Sequence, residues 1–258
     1  MAAGDVETAV TTIESGEPFG YFNGTAAFVE TSLDDLSTLG TTFSIVADIY
    51  PTGDSVTTQG IFDNDTAGSR GVVFGYNIDE KFYLQHNQGL RRNMRSTNVI
   101  TQNTWTNVIG IWDGSEWVMY INGILDATSS GGAGPSSGAL VDNSLNVKIG
   151  KDTYDANASR QFKGRLKNIR VYASKILSQA EITALQTERV SEGLTHEWLL
   201  TSDYTDTAGS ADGTNNGALI TAENTVETEL ASQRAGASDH VMMIGLGGQI
   251  VSATVQES

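Results

Sequence analysis

The residues able to do chemistry are few and scattered. Histidine occurs only as His86, His196 and His240, with no His-x-His or His-x-x-x-His spacing, so a histidine-ligated metal centre has nothing to build it. Cysteine is absent, which excludes thiol nucleophiles, Cys-bound zinc, iron–sulfur clusters and disulfide frameworks. Gly53-Asp54-Ser55 matches an esterase nucleophile block, but no Asp-x-x-His stands near the C-terminus to supply a base, and the tripeptide reads as a hairpin loop after Pro51. Cleaving a glycosidic bond requires two carboxyl groups set across a sugar ring. Glu116 and Asp126 flank one hairpin, yet they sit at or beyond its strand ends and suit a turn instead. No glycine loop with a following lysine is present to cradle phosphate. Calcium is the one cofactor the residues leave open. Asp63-Asn-Asp65 and Asp152-Thr-Tyr-Asp155-Ala-Asn157 are clusters of hard oxygen ligands, and the same residues also make ordinary Asx turns. The strongest basic features are Arg91-Arg92 with Arg95, and Lys163, Arg165 and Lys167, which alternation places on one outward face. An anionic glycan or an acidic protein surface is the matching partner for either.

These side chains sit in a chain of 258 residues with a formal charge of -16, which disfavours nucleic-acid phosphates. The charge is uneven. Residues 1–69 hold 11 acids and no base, 70–190 hold 10 acids and 14 bases, and 191–258 hold 10 acids and one base, so acidic ends flank a mildly basic middle. No apolar run approaches the length of a membrane span, and the start lacks the basic and apolar regions of a signal peptide. With 28 Gly, no cysteine and short apolar runs, the composition suits one large all-β core with many turns.

Period-two alternation predicts strands through the middle. Phe43, Ile45, Ala47 and Ile49 share a face of a strand stopped by Pro51, and Val72–Ile78, Phe82–His86, Val108–Trp112, Leu145–Ile149 and Leu166–Tyr172 continue the pattern. Asn122-Gly123 between apolar flanks is a type I′ hairpin turn. One helix is expected from about Gln179 to Arg189, with Ser178 and Glu181 as a capping box and Leu177 and Ile182 as a hydrophobic staple. A weaker helix follows Asn224, with Glu227 at the box position and Gly236 as its stop. Before Ile13, helix and strand both remain open. The tail from Asp239 carries two apolar runs around Gly247-Gly248 and reads as a hairpin that needs a sheet or partner to lie against.

The blocks Gly20-Tyr-Phe-Asn-Gly, Thr42-Phe-Ser-Ile-Val-Ala-Asp-Ile-Tyr-Pro51, Asp113-Gly-Ser-Glu-Trp-Val-Met-Tyr-Ile-Asn-Gly123, Ile149-Gly150 and Phe162-Lys-Gly-Arg-Leu-Lys-Asn-Ile-Arg-Val-Tyr172 resemble, in order and spacing, the laminin G-like, concanavalin A-like jelly rolls. The resemblance runs over residues 19–186. It implies an all-β, two-sheet antiparallel sandwich with one short helix after the last block and C-terminal extension strands, and leaves the ligand undecided among lectins, adhesion modules, glycosidases and viral surface proteins. Such proteins often bind calcium at the sandwich rim, which would engage Asp63, Asp65, Asp152, Asp155 and Asn157. The Glu-x-Asp-x-x-Glu run carried by the hydrolytic members is missing, so a non-catalytic protein is expected. The first family strand, Gly-Leu-x-x-x-Trp-x-Leu, is missing ahead of the Phe-Asn-Gly block and occurs instead as Gly193-Leu-Thr-His-Glu-Trp-Leu-Leu200. The chain therefore resembles a circular permutant, whose strand folds back on its own sandwich, exchanges into a neighbour, or begins a separate small domain. In the first two cases Trp198 is structural.

The expected organisation is an acidic N-terminal arm at 1–18, the sandwich at 19–190, the permuted or exchanged strand and turn at 191–222, and a helix with an apolar docking hairpin at 223–258. Two functions compete. One is a phage or viral virion component, a capsid decoration or tail-associated protein contacting other virion proteins or copies of itself. It draws on the absent signal peptide and the apolar tail. The other is a carbohydrate-binding lectin module of a bacterial surface protein, extracellular or at the cell surface. It would bind host or bacterial glycans through rim aromatics such as Tyr154 and Trp112. Neither involves nucleic acid or a membrane.

Overall fold

The computed structural model describes residues 13–53, 57–65, 70–88, 91–128, 140, 142–153, 160–226, 241–244 and 250–253. The chain forms two compact units, one of Phe19–Ile220 and one of Met1–Pro18 with Thr221–Ser258. In chain order the strands are β1 (Ile13–Asn23), β2 (Phe28–Thr31), β3 (Phe43–Pro51), β4 (Gln59–Asp63), β5 (Arg70–Tyr76), β6 (Lys81–Gln88), β7 (Arg91–Val99), β8 (Thr106–Trp112), β9 (Trp117–Ile121), β10 (Ile124–Thr128), β11 (Lys148–Ile149), β12 (Lys163–Ala173), β13 (His196–Trp198), β14 (Gly213–Asn216) and β15 (Leu219–Val226). One helix, α1 (Gln179–Ala184), follows β12. Among the described residues no helix is long and apolar enough to cross a membrane.

The larger unit is the expected antiparallel sandwich. Its first sheet runs β10-β9-β8-β3-β12-β1, with β13 also on β12, and its second runs β14-β2-β11-β4-β5-β6-β7. Alternation explains the core between them. Phe43, Ile45, Ala47 and Ile49 of β3 face Phe62, Phe74, Phe82 and Leu84 of the second sheet within one cluster of buried side chains. The other side of β3 and β8 is covered as well. Val46, Ile109, Ile111 and Tyr172 pack under Leu177, Ile182 and Leu185 at α1, so β8 is buried along its whole length. Trp112 is consequently not a rim aromatic. It is 1% exposed and packs edge-on at 4.3 Å from the His86 ring and 5.6 Å from the Trp117 ring.

The local signals form as the sequence predicts. Asn122 and Gly123 both take positive φ between β9 and β10, and Ser178 and Glu181 complete their capping box. α1 is shorter than expected. After Ala184 the bonds Gln186 N to Thr183 O and Thr187 N to Ala184 O tighten the chain into a three-residue turn, ending the α-helix five residues before Arg189. The strands β2, β4, β7, β14 and β15 were not expected. β7 carries a single apolar residue facing the core, Met94, because it is an edge strand with its outer side in water.

The segment after Gly193 folds back on its own sandwich. β12 is lined along one edge by β3 and along the other by two short partners: β1 pairs Gly20–Asn23 with Lys163–Leu166, and β13 pairs His196–Trp198 with Ile169–Val171. β14 then joins the edge of the second sheet through β2. Trp198 and Leu200 are fully buried, and Trp198 Nε1 donates to the Ala211 carbonyl at 2.9 Å. His196 is only half-buried, its ring stacked on Trp198 and its Nδ1 2.7 Å from Asp206 Oδ2. On the opposite side Glu197 is buried against Arg170 at 2.8 Å, Arg189 at 2.9 Å and the Thr207 hydroxyl at 2.7 Å. Burial alone would raise the Glu197 carboxyl. These donors outweigh it and hold the group below its usual value. Asp206 is likewise held well down: its burial is outweighed by His196 and by the backbone amides of Glu197, Ala211 and Gly209.

The smaller unit holds most of β15 and a two-stranded hairpin of β16 (Val241–Ile244) and β17 (Ile250–Ala253), as the apolar tail predicts. Asn224 lies inside β15 and does not cap a helix. The remainder of that expected helix, from Glu227 to Gly236, lies outside the described residues, as does the chain before Ile13.

Candidate functional site

The outer face of the second sheet carries a polar cleft of about 290 Å³. Its floor comes from strand alternation. In β6, Phe82, Leu84 and His86 point inward, which turns Tyr83 and Gln85 outward; in β7, Met94 points inward and turns Asn93 and Arg95 outward. Register puts Tyr83 opposite Arg95 and Gln85 opposite Asn93, and sets Val73 of β5 beside Gln85. Thr58, Asp65, Asp152 and Arg160 close the cleft from the loops. The loop bearing Asp152 can approach because position 60 is glycine: a Cβ there would strike the backbone of Lys151 and Asp152.

The polar groups are held in place by one another. Tyr83 donates through its hydroxyl to Gln85 Oε1, and Gln85 Nε2 donates to Asp65 Oδ2 at 3.4 Å. Arg160 pairs with Asp152 at 2.8 Å, Arg95 with Asp79 at 3.1 Å, and Thr58 donates to Asn77 at 2.9 Å. Fixed hydrogen-bonding edges of both polarities, with two carboxylates and two guanidinium groups, suit a ligand rich in hydroxyls and without net charge.

Asp63 lies at the end of β4 and is not in a rim loop. It is 0% exposed. Its Oδ1 accepts from Asp65 N at 2.9 Å, Thr153 N at 3.1 Å and the Thr153 hydroxyl, while Oδ2 has no hydrogen-bond partner. Burial and the adjacent Asp152 push its carboxyl well above the usual range, against the hydrogen bonds from Thr153 and Asp65. Asp152, the other carboxylate beside it, is engaged by Arg160. Among the described residues no group of three His, Asp or Glu side chains is arranged to hold a metal ion, and Asp155 and Asn157 lie outside them.

Of the expected binding residues, the structure brings Arg95 into the cleft with Asp65 and Asp152. Lys163, Arg165 and Lys167 lie on the other sheet, outward-facing as alternation predicts. Tyr154 and the side chains of Arg91 and Arg92 fall outside the described residues. The sequence reading missed Tyr83, Gln85, Asn93 and Arg160. The outward alternation of Tyr83 and Gln85 was readable in β6, but nothing linear joins them to Arg160. Asp126, read as a turn residue, does more. It accepts from Asn98 N at 3.1 Å and Asn98 Nδ2 at 2.6 Å, tying β10 of one sheet to β7 of the other.

A two-sheet antiparallel jelly roll with a polar cleft on one sheet face is a lectin-like fold. The chain belongs to the concanavalin A-like lectin/glucanases superfamily, whose laminin G-like family matches residues 23–183, more than half of its length. Among solved structures it is similar to a candidate carbohydrate-binding protein from Bacteroides ovatus, at 19% identity and TM-score 0.63, covering 83% of this chain and 62% of that one. It is similar also to domain 4 of AbnA, a GH43 extracellular arabinanase from Geobacillus stearothermophilus, in complex with arabinotriose, at 18% identity and TM-score 0.53, covering 71% and 84%. A third is the heptameric SAP-like pentraxin from Limulus polyphemus, at 14% identity and TM-score 0.51, covering 79% and 94%. At these identities the likeness is one of fold. No curated protein matches the chain.

Proposed function

We propose that this protein is a non-catalytic carbohydrate-binding module that acts outside the cell or at its surface, and that the cleft on the second sheet takes a neutral oligosaccharide. The observation that carries this is the convergence of Tyr83, Gln85, Asn93 and Arg95 from adjacent strands with Asp65, Asp152 and Arg160 from the loops. The description of one similar fold as a candidate carbohydrate-binding protein, and the arabinotriose bound to another, support the reading. A hydrolase would need a carboxyl poised to protonate a glycosidic oxygen. Asp63, whose carboxyl has raised proton affinity, is buried beneath the cleft, while Asp65 accepts from Gln85 and Asp152 is ion-paired. The virion role expected from the sequence gains no comparable support.

A glycan array followed by calorimetry with arabinotriose and other neutral oligosaccharides tests the proposal. The intact protein should bind at least one neutral glycan without consuming it. Gln85→Ala and Asn93→Ala should each weaken that binding about tenfold, the worth of one or two hydrogen bonds to a ligand. Retention of no glycan at all, or full affinity in both variants, would refute it.

A further inference from the structure

Among the described residues, β16 and β17 pair only with each other. Each is four residues long, and a lone two-stranded hairpin is marginal in water; three or more strands are needed for one to persist. Register sets Val241 opposite Ala253 and Met243 opposite Val251 on one face, and Met242 opposite Ser252 and Ile244 opposite Ile250 on the other. Apart from Ser252 these residues are all apolar, so neither face has the polar composition of a sheet face turned to water.

The hairpin also lacks the usual guards of an open edge, which are charge, proline or a bulge. β16 and β17 contain no Asp, Glu, Lys, Arg or Pro, and their pairing runs through all four positions without a register shift. The surrounding sequence sharpens the contrast. Residues 191–258 hold 10 acids and one base, yet Val241 to Gln256 contains no charged residue. Two acidic C-terminal ends repel where their carboxylates meet, and this uncharged run lets them touch without bringing like charges together.

We propose that the hairpin is a self-association element, and that its partner is the same hairpin of a second copy of this chain. An antiparallel strand can pair with its own copy about a twofold axis, so one edge supplies both halves of the contact. Two hairpins joined edge to edge make a four-stranded sheet, which reaches the strand count that each lacks alone. Length and polarity match as well, since each copy brings a four-residue edge and uncharged faces. Chains joined in this way present two sandwiches at once, which raises avidity for a repeating ligand without any new contact to it.

Light scattering of the full-length protein over a range of concentrations tests this. The mass should be at least twice the 27.4 kDa of one chain and should fall toward that value on dilution. Val251→Asp and Ile244→Asp, one on each face of the hairpin, should each give the single-chain mass at concentrations where the parent is associated. Trp105, Trp112, Trp117 and Trp198 are the only tryptophans of the chain and all lie in the larger unit, so near-ultraviolet circular dichroism and fluorescence show whether each variant keeps its sandwich. Because the chain has no cysteine, the symmetry of the contact can be read directly. Met242→Cys and Met243→Cys, made separately, should in at least one case yield a disulfide-linked dimer on oxidation, whereas Thr101→Cys, exposed on the sandwich, should not. A parent with the mass of one chain throughout, association that survives both Asp substitutions, or no linked dimer from either hairpin substitution would overturn the proposal. A single-chain parent would leave the glycan reading of the cleft untouched, and failure to bind any glycan would leave the measured mass unchanged.

Discussion

Removing the Trp198 side chain should come close to unfolding the sandwich. The ring is 0% exposed, lies 6.1 Å from the Phe62 ring across the core, is stacked by His196 on one face, and donates from Nε1 to the Ala211 carbonyl. Trp198→Ala leaves a large cavity between the sheets, and such truncations cost about 3–5 kcal/mol. That is a large share of the roughly 5–15 kcal/mol that holds an ordinary domain together. Trp198→Phe keeps most of the ring but orphans the Ala211 carbonyl, for about 1–3 kcal/mol. In urea and thermal unfolding the alanine variant should melt about 10 °C or more below the parent, with the phenylalanine variant between them. Truncation after Arg189 is a harsher form of the same change. It strips β13 and β14 from the two sheets and leaves Arg170, whose side chain is 8% exposed, without Glu197. The shortened chain should be insoluble or loosely packed. If Trp198→Ala costs less than about 1 kcal/mol, or the truncated chain folds cooperatively at the parent melting temperature, β13 is an appendage and the reasoning fails.

Glu197→Gln should cost about 3 kcal/mol near neutral pH, because Arg170 and Arg189 lose their counter-charge. Since the folded carboxyl sits below its usual value of 4.5, its contribution is present above that value and fades as pH falls through the folded pKa; a penalty as large in strong acid as at neutrality would contradict this. Asp63 has the opposite sign. Its folded carboxyl holds its proton more tightly than the usual 3.8, so stability from this group is lost as pH rises from there through the folded pKa. Asp63→Asn keeps the acceptor for Asp65 and Thr153 and should gain stability relative to the parent as pH rises, with little change in acid; a variant that loses ground to the parent on going to alkaline pH would refute it. Calcium should move the melting temperature little, since a site at 100-fold excess over its Kd would add about 2.7 kcal/mol and be plain to see. A chelator-sensitive melting temperature that vanishes in Asp152→Ala would show that a cation site exists.

The structure bears out sequence features whose chemistry is local. Asn122-Gly123 turns because its two residues tolerate positive φ, whatever lies around them. Ser178 and Glu181 satisfy each other's backbone donors within one turn. Alternation oriented β3 and the Lys163–Lys167 part of β12 correctly, and the family resemblance, with its first strand displaced to Gly193–Leu200, marked Trp198 as a core residue. Other features needed the third dimension. Trp112 and Ile111 are adjacent, and both are buried, because α1 covers one side of β8 while the second sheet covers the other; a strand enclosed on both faces shows no periodic contrast from which to read its orientation. Asp63 reads as a turn residue beside Asn64 and Asp65, and only the closing of the Asp152 loop over Gly60 makes it a buried carboxyl. The cleft itself is assembled from single outward residues on neighbouring strands and from loops that lie far apart in the sequence, those flanking β4 with Thr58 and Asp65 and one bearing Asp152 and Arg160. Each strand's pattern states which side chains face water, but which of those faces converge is set by strand order and register, and these arise from long-range pairing that no local run of residues encodes.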